Sequence, residues 1–182
     1  MNYQKTEVRA IDHIGITVPN IEEAAKFLEE AFGATAIYDN VVPTDKPTEG
    51  AEAEAKLGFA KGSAIVHMRM MRIGDGACIE LFEMKVPGER KKDIIPSDIG
   101  LQHFAVYTDD IDKTKEKFEN AGGRLLKGPN EMLGREGGKG NHFMYCVTPW
   151  GTFVELISYP SELEIEKETP LRRWKPQPGK AQ

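Results

Sequence analysis

Four histidines and two glutamates recur in matched pairs along this chain, and these residue types bind divalent metals through mixed nitrogen and oxygen donors. Residues 11–34, IDHIGITVPNIEEAAKFLEEAFGA, lie over residues 101–124, LQHFAVYTDDIDKTKEKFENAGGR, at an offset of 90 and without a gap. That alignment matches His13 to His103, Ile21 to Ile111, Glu22 to Asp112 and Gly33 to Gly123. A second alignment, at an offset of 75, lays HMRMMRIGDGACIELFE over HFMYCVTPWGTFVELIS. It matches His67 to His142, Gly76 to Gly151, Glu80 to Glu155 and Leu81 to Leu156. A single histidine or glutamate on a strand is usually structural. Two imidazoles and two carboxylates at equivalent places of an internal repeat suit a borderline divalent cation that keeps positions open for water or substrate.

The elements that must position these groups follow from periodicity. Residues 11–18 alternate, with Ile14, Ile16 and Val18 on one side and His13, Gly15 and Thr17 on the other, as a strand does. Pro19-Asn20 ends it, and Asn20 is placed to cap a helix whose apolar stripe is Ile21, Ala24, Ala25, Leu28 and Phe32, stopped by Gly33. Strands are predicted near 35–42, 63–73 and 77–84. The second half repeats the order, with a strand at 101–108, a helix at 111–121 and strands near 124–128, 141–147 and 152–158. Each half therefore reads as βαβββ, an α+β fold of two tandem modules. The first module covers 8–84, with an insertion of about 15 residues within 40–62. Residues 85–99 are a linker, the second module is 100–159, and 160–182 form a Pro-rich tail.

Side-chain alternation then chooses the faces. With Ile14, Ile16, Ile79 and Leu81 against the helix, His13 and Glu80 share the opposite face with Cys78 and Phe82. With Phe104, Val106, Val154 and Leu156 against the second helix, His103 and Glu155 do the same beside Phe153 and Ile157. The expected result is a curved sheet around a site of two histidines and two glutamates. A carboxylate facing an apolar wall is costly unless it is paired or ligated. His67 and His142 each precede the glutamate of their own half by 13 residues, near the far end of the adjacent strand. They read either as half-buried rings bonded to backbone or as a proton shuttle or substrate ligand.

These motifs resemble those of the vicinal oxygen chelate superfamily. His13 in DHIGITV, Glu80 in CIELFE, His103 in LQHFAVYTDD and Glu155 in PWGTFVEL are similar to its four metal ligands. The resemblance covers about residues 8–159. It implies the glyoxalase/bleomycin resistance/dioxygenase-like fold and one divalent ion per site, drawn from Mn, Co, Ni, Zn, Mg or Fe. By the glyoxalase I pattern it implies Glu155 as first candidate for the general base and Glu80 as second. Epimerases of the superfamily often carry Gln at the place of Glu80. Extradiol dioxygenases take two histidines and one glutamate from a single module, which draws His142 into question. The implied activity is an isomerase, epimerase or lyase moving a proton beside the carbonyl of a small substrate with adjacent oxygens. A non-haem Fe(II) dioxygenase and a ligand-sequestering resistance module are the alternatives. Relatives often pair, so a homodimer is expected.

Composition excludes other classes. The 24 Lys and Arg against 29 Asp and Glu give a net charge of −5, which argues against a nucleic-acid or anionic-membrane binder. No apolar run approaches the roughly 18 residues of a membrane span. The opening MNYQKTEVRA lacks the apolar core of a secretory signal, and two cysteines cannot build a disulfide framework. The expected compartment is the cytoplasm. Cys78, Cys146, Met68, Met70, Met71 and Met144 read as core filler. In the tail, Leu171 and Trp174 are expected to anchor on the body, with Arg172 or Arg173 meeting an anionic substrate group.

Overall fold

A computed structural model of the chain describes residues 11–89, 95–97, 99–170 and 172–176. The first half runs β1 (His13–Val18), α1 (Ile21–Phe32), β2 (Thr35–Val41), β3 (Thr48–Glu49), α2 (Ala51–Leu57), β4 (Ala64–Arg72) and β5 (Cys78–Lys85). The second runs β6 (His103–Tyr107), α3 (Ile111–Asn120), β7 (Arg124–Leu125), β8 (Asn130–Glu131), β9 (His142–Val147) and β10 (Phe153–Ser158). Each half builds a five-stranded sheet with the same pattern. The orders are β1-β5-β4-β2, with β3 on β4, and β6-β10-β9-β7, with β8 on β9. In both, the first strand pairs parallel with the last and the remaining pairs are antiparallel. The α+β architecture expected from the repeat is the one observed.

Two short strands, β3 and β8, were not expected. They occupy equivalent places, so β3 is shared structure within the longer connection of the first half. What sets that half apart is α2, a seven-residue helix with no buried residue. Contacts divide the chain into two compact units: residues up to 25 with 34–88, and 26–33 with those from 89 onward. The linker residues 90–94 and 98, together with Leu171 and 177–182 of the tail, lie outside the described residues.

Helix α1 begins where the sequence places its cap: Asn20 Oδ1 accepts from the Glu23 N–H at 3.0 Å. Glu83 Oε2, on β5, accepts a second free donor of the first turn, Ile21 N–H, at 3.0 Å. Ile21, Ala24, Ala25 and Leu28 are buried as the stripe requires, while Phe32 is only half-buried. In α3, Asp110 is the cap, accepting from Lys113 N–H at 3.0 Å, and Ile111 and Phe118 are the buried residues. Gly33 closes α1 at φ 67, but its repeat partner Gly123 has another task. A Cβ there would meet the Phe118 ring at 2.2 Å, and the positive φ falls on Gly122 instead. Met68, Met70, Met71, Met144 and Cys146 are buried, as filler should be. Burial pushes the Cys146 thiol up to about 12.

The helix-side face of the first sheet also carries a charged network. Arg69 on β4 bonds both Glu22 oxygens at 2.9 Å and Asp39 Oδ1, on β2, at 2.8 Å. His67 Nε2 donates to the same Asp39 oxygen at 2.8 Å. The Arg69 hydrogen bond holds the Glu22 carboxyl below its usual range. Burial alone would raise Asp39, but hydrogen bonds from Arg69 and His67 outweigh it and hold that carboxyl low too. Carboxyls depressed on folding contribute stability above their unfolded pKa of about 4 and lose it as pH falls through the folded value. Arg69→Met should therefore cost about 1–3 kcal/mol in urea unfolding at pH 7, and the difference should shrink by about pH 2.5. An equal loss at both pH values would assign the effect to packing.

Candidate functional site

Parallel pairing places the predicted ligands. His13 on β1 lies in register with Cys78, and Glu80 lies opposite Gly15. His103 on β6 lies in register with Phe153, and Glu155 lies opposite Ala105. Each glutamate thus faces the residue two beyond its histidine, on the same side of the sheet, over a residue with little or no side chain. The functional ends meet: His13 Nε2 is 3.2 Å from Glu80 Oε2, and His103 Nε2 is 3.5 Å from Glu155 Oε2. Among the described residues no group of three or more His, Cys, Asp or Glu is gathered as a metal site. The structure brings the four residues together two by two, one pair within each unit.

The rings share a second feature that the sequence reading missed. His13 Nδ1 is 2.8 Å from Asp12 Oδ2, and His103 Nδ1 is 3.0 Å from Gln102 Oε1. Carboxylate and amide oxygens only accept, so Nδ1 is the donor in both cases. Each acceptor is the residue just before its histidine, at equivalent places of the repeat. The Asp12 hydrogen bond raises the affinity of His13 for its proton, burial opposes it, and the Glu80 charge adds to the rise.

The two carboxylates sit in different surroundings. On the second sheet, Glu155 has its side chain 14% exposed, with Tyr145 in register across β9. Tyr145 packs edge-on to His103, with ring centroids 5.1 Å apart. Burial holds the Glu155 carboxyl above the usual range, although His103 and Arg173 pull it down. Burial, then the Glu155 charge, raises Tyr145 in turn. On the first sheet the Glu80 face carries Phe82, Met68 and Met70, an apolar wall rather than an aromatic-hydroxyl one.

His67 and His142 do not join these faces. In the β4–β5 register, Met70 is opposite Glu80 while His67 is opposite Glu83, so His67 points to the α1 side, where Asp39 holds it. In the β9–β10 register, Tyr145 is opposite Glu155 while His142 is opposite Ser158, again the other face. His142 Nδ1 donates to the Gly140 carbonyl at 2.9 Å, the backbone contact that was one of its two expected readings. In both hairpins the residues facing each other from the histidine to the turn are an even number apart, so a residue 13 before the glutamate falls on the other face.

The tail is seated, though not as expected. Trp174 is 56% exposed, so its ring is no anchor; its carbonyl accepts the Tyr159 hydroxyl instead. Leu163 is the buried residue, packed with Met132, Ile157 and Tyr159. Arg173 Nη1 bonds Glu136 at 2.6 Å and lies over the Tyr159 ring at 5.6 Å. Lys175 Nζ donates to the Tyr159 carbonyl at 2.9 Å.

Known proteins share this fold. Residues 12–145 match the family model for the glyoxalase/bleomycin resistance protein/dioxygenase superfamily. The chain belongs to this superfamily. A 2-epi-5-epi-valiolone epimerase from Actinomyces sp is 30% identical over 168 residues, covering 92% of this chain and 89% of that protein. A glyoxalase family protein from Bacillus cereus superposes with a TM-score of 0.65 at 18% identity, covering 86% of this chain and 97% of the other. Maize glyoxalase I gives 0.57 at 22% identity, over 84% of this chain and 45% of that enzyme. A fosfomycin resistance protein from Listeria monocytogenes gives 0.54 at 16%, over 84% and 94%. Among the described residues, no helix is long and apolar enough to cross a membrane.

Truncation after Lys167 should test the docked tail. It removes the Trp174 carbonyl and both cations from Tyr159, contacts worth together about 2 kcal/mol. A fall of about 4–8 °C in melting temperature is expected by calorimetry. A melting temperature within one degree of the full chain would show that the tail contributes nothing.

Proposed function

We propose that the protein is a divalent-metal-dependent epimerase of the vicinal oxygen chelate superfamily, acting on a small hydroxylated ketone. The observation that carries the reading is the histidine–glutamate pair repeated in each unit, with ring Nε2 turned toward the carboxylate. The relative named as an epimerase of 2-epi-5-epi-valiolone supports the choice of epimerisation over isomerisation or elimination, and its ketone suffix suggests the substrate class. The donors fit a borderline divalent ion: imidazole nitrogen and carboxylate oxygen, with Glu155 buried against aromatic rings where an uncompensated charge is costly. His13, Glu80, His103 and Glu155 are the proposed ligands. When bound, the ion would act as a Lewis acid on the substrate's carbonyl and neighbouring oxygen.

The chain's own groups move the proton. Glu155 is the proposed base: its carboxylate takes the proton from the carbon beside the carbonyl, leaving the electron pair on the enol system. Inversion requires a proton to return on the opposite face; Glu80 is the second candidate for the acid–base role, which either glutamate would fill only with its carboxylate released from the metal. Tyr145, Tyr107 and Phe143 share the Glu155 face and exclude water from the carboxylate's surroundings. His142, which draws attention to a dioxygenase triad in the sequence, points to the other face of its sheet, and that argues against the dioxygenase alternative.

The test is solvent-deuterium exchange. The metal-loaded protein in D2O should place deuterium beside the carbonyl of a polyhydroxylated cyclic ketone and yield its epimer, read by NMR. Glu155→Gln should lower both rates by about 10²-fold or more. Glu80→Gln should weaken metal binding yet keep part of it, since an amide oxygen still ligates, while His103→Ala should abolish it. Full metal occupancy in the double variant His13→Ala/His103→Ala would overturn the ligand assignment. Oxygen uptake with Fe(II) and no exchange would replace the epimerase by a dioxygenase. We also propose a homodimer; light scattering at micromolar concentration checks it, a monomer being the contrary result.

A further inference from the structure

We propose that Asp12 and Gln102 are paired positioning residues that hold the two imidazoles with Nδ1 protonated, so that Nε2, which faces the glutamate of its unit, is the ring nitrogen presented to the metal. The inference rests on the ligand assignment proposed above for His13 and His103. Its basis is a contact made twice. A residue immediately before its neighbour in a regular strand points to the other face of the sheet and cannot reach it. Asp12 and Gln102 each stand one residue before their strands begin, at His13 and His103, where the alternation has not started. Both side chains use that freedom in the same way, reaching the following ring at 2.8 and 3.0 Å. The Asp12 backbone is itself held, its carbonyl accepting from Cys78 N–H at 3.0 Å.

A purely structural purpose does not account for Asp12. The Asp12 side chain is 92% exposed, and an exposed ion pair contributes little to folding. Orientation does account for it: a ring whose Nδ1–H is already bonded presents its Nε2 lone pair in one direction and one tautomer. The two halves are not identical. Asp12 offers a charged acceptor and Gln102 a neutral one, so His13 is the more strongly supported electron donor.

Zn(II) titration of the metal-free full chain, by calorimetry, reads the effect without catalysis. Asp12→Ala and Gln102→Ala should each weaken Zn(II) binding by about 10–100-fold, with Asp12→Ala the larger loss. Asp12→Asn and Gln102→Glu retain an oxygen acceptor and should recover most of the affinity, which a structural role would not demand. Long-range 15N–1H NMR of the Zn(II) form should show Nδ1–H on both rings. Alanine variants that bind Zn(II) within twofold of the parent would overturn the inference, while the ligand assignment stands if His13→Ala and His103→Ala lose the metal. Histidine variants that bind as the parent does would overturn both. Should an alanine variant fail to fold, Asp12→Asn and Gln102→Glu decide: Nδ1–H absent from their NMR spectra overturns the proposal, and its presence supports it.

Discussion

In each half the first strand lies parallel to the last, and a parallel pair cannot be closed by a hairpin. The chain must cross through a helix and further strands before it returns beside its start. That crossover puts α1 or α3 on one face of each sheet; on the second sheet the opposite face meets Leu163 and Ile165 of the tail beside Ile157. It also brings His13 against β5 and His103 against β10, although 67 and 52 residues separate these histidines from their glutamates. Alternation along the strands does the rest. Ile79, Leu81, Val154 and Leu156 bury themselves on the helix side, so Glu80 and Glu155 are turned toward the histidines. Opposite the glutamates stand Gly15 and Ala105, with no side chain beyond a methyl, and the Phe82 ring lies against Gly15.

The same alternation explains why the first sheet can hold two kinds of polar chemistry without mixing them. Arg69, Asp39, His67 and Glu22 are closed among themselves on the helix side, every charge with a partner. An imidazole satisfied by Asp39 has no reason to serve a site on the opposite face. Glu83, on that side too, bonds the first turn of α1 and so ties the crossover helix to the strand that carries Glu80. Structural and chemical carboxylates are thus neighbours in sequence, separated by the thickness of one sheet.

The two glutamates of the candidate site differ because their walls differ. Phe82 and methionines surround Glu80, whereas tyrosines, Glu136 and the tail arginine stand around Glu155. Burial in those surroundings raises the Glu155 carboxyl, so two residues that the repeat makes formally equivalent stand in unlike settings.

Much of this was determined by sequence alone. The repeat, the strand and helix periods, the Asn20 cap and the face of each histidine and glutamate are legible along the chain, while their meeting in pairs depends on the parallel register of first and last strands. The tertiary structure decided what depends on register and on where a strand begins. His67 and His142 were candidates for a proton shuttle or substrate ligand, but cross-strand register turns them to the other face, and the partner of His67, Asp39, is 28 residues away on another strand. Gly123 aligned with a helix-stopping glycine yet is required by the Phe118 ring. Trp174 read as an anchor by its apolar area, but the buried contact belongs to Leu163 and the hydrogen bond to a backbone carbonyl. Asp12 and Gln102 gave no periodic signal, because they act where the strand has not yet started and the period does not yet hold.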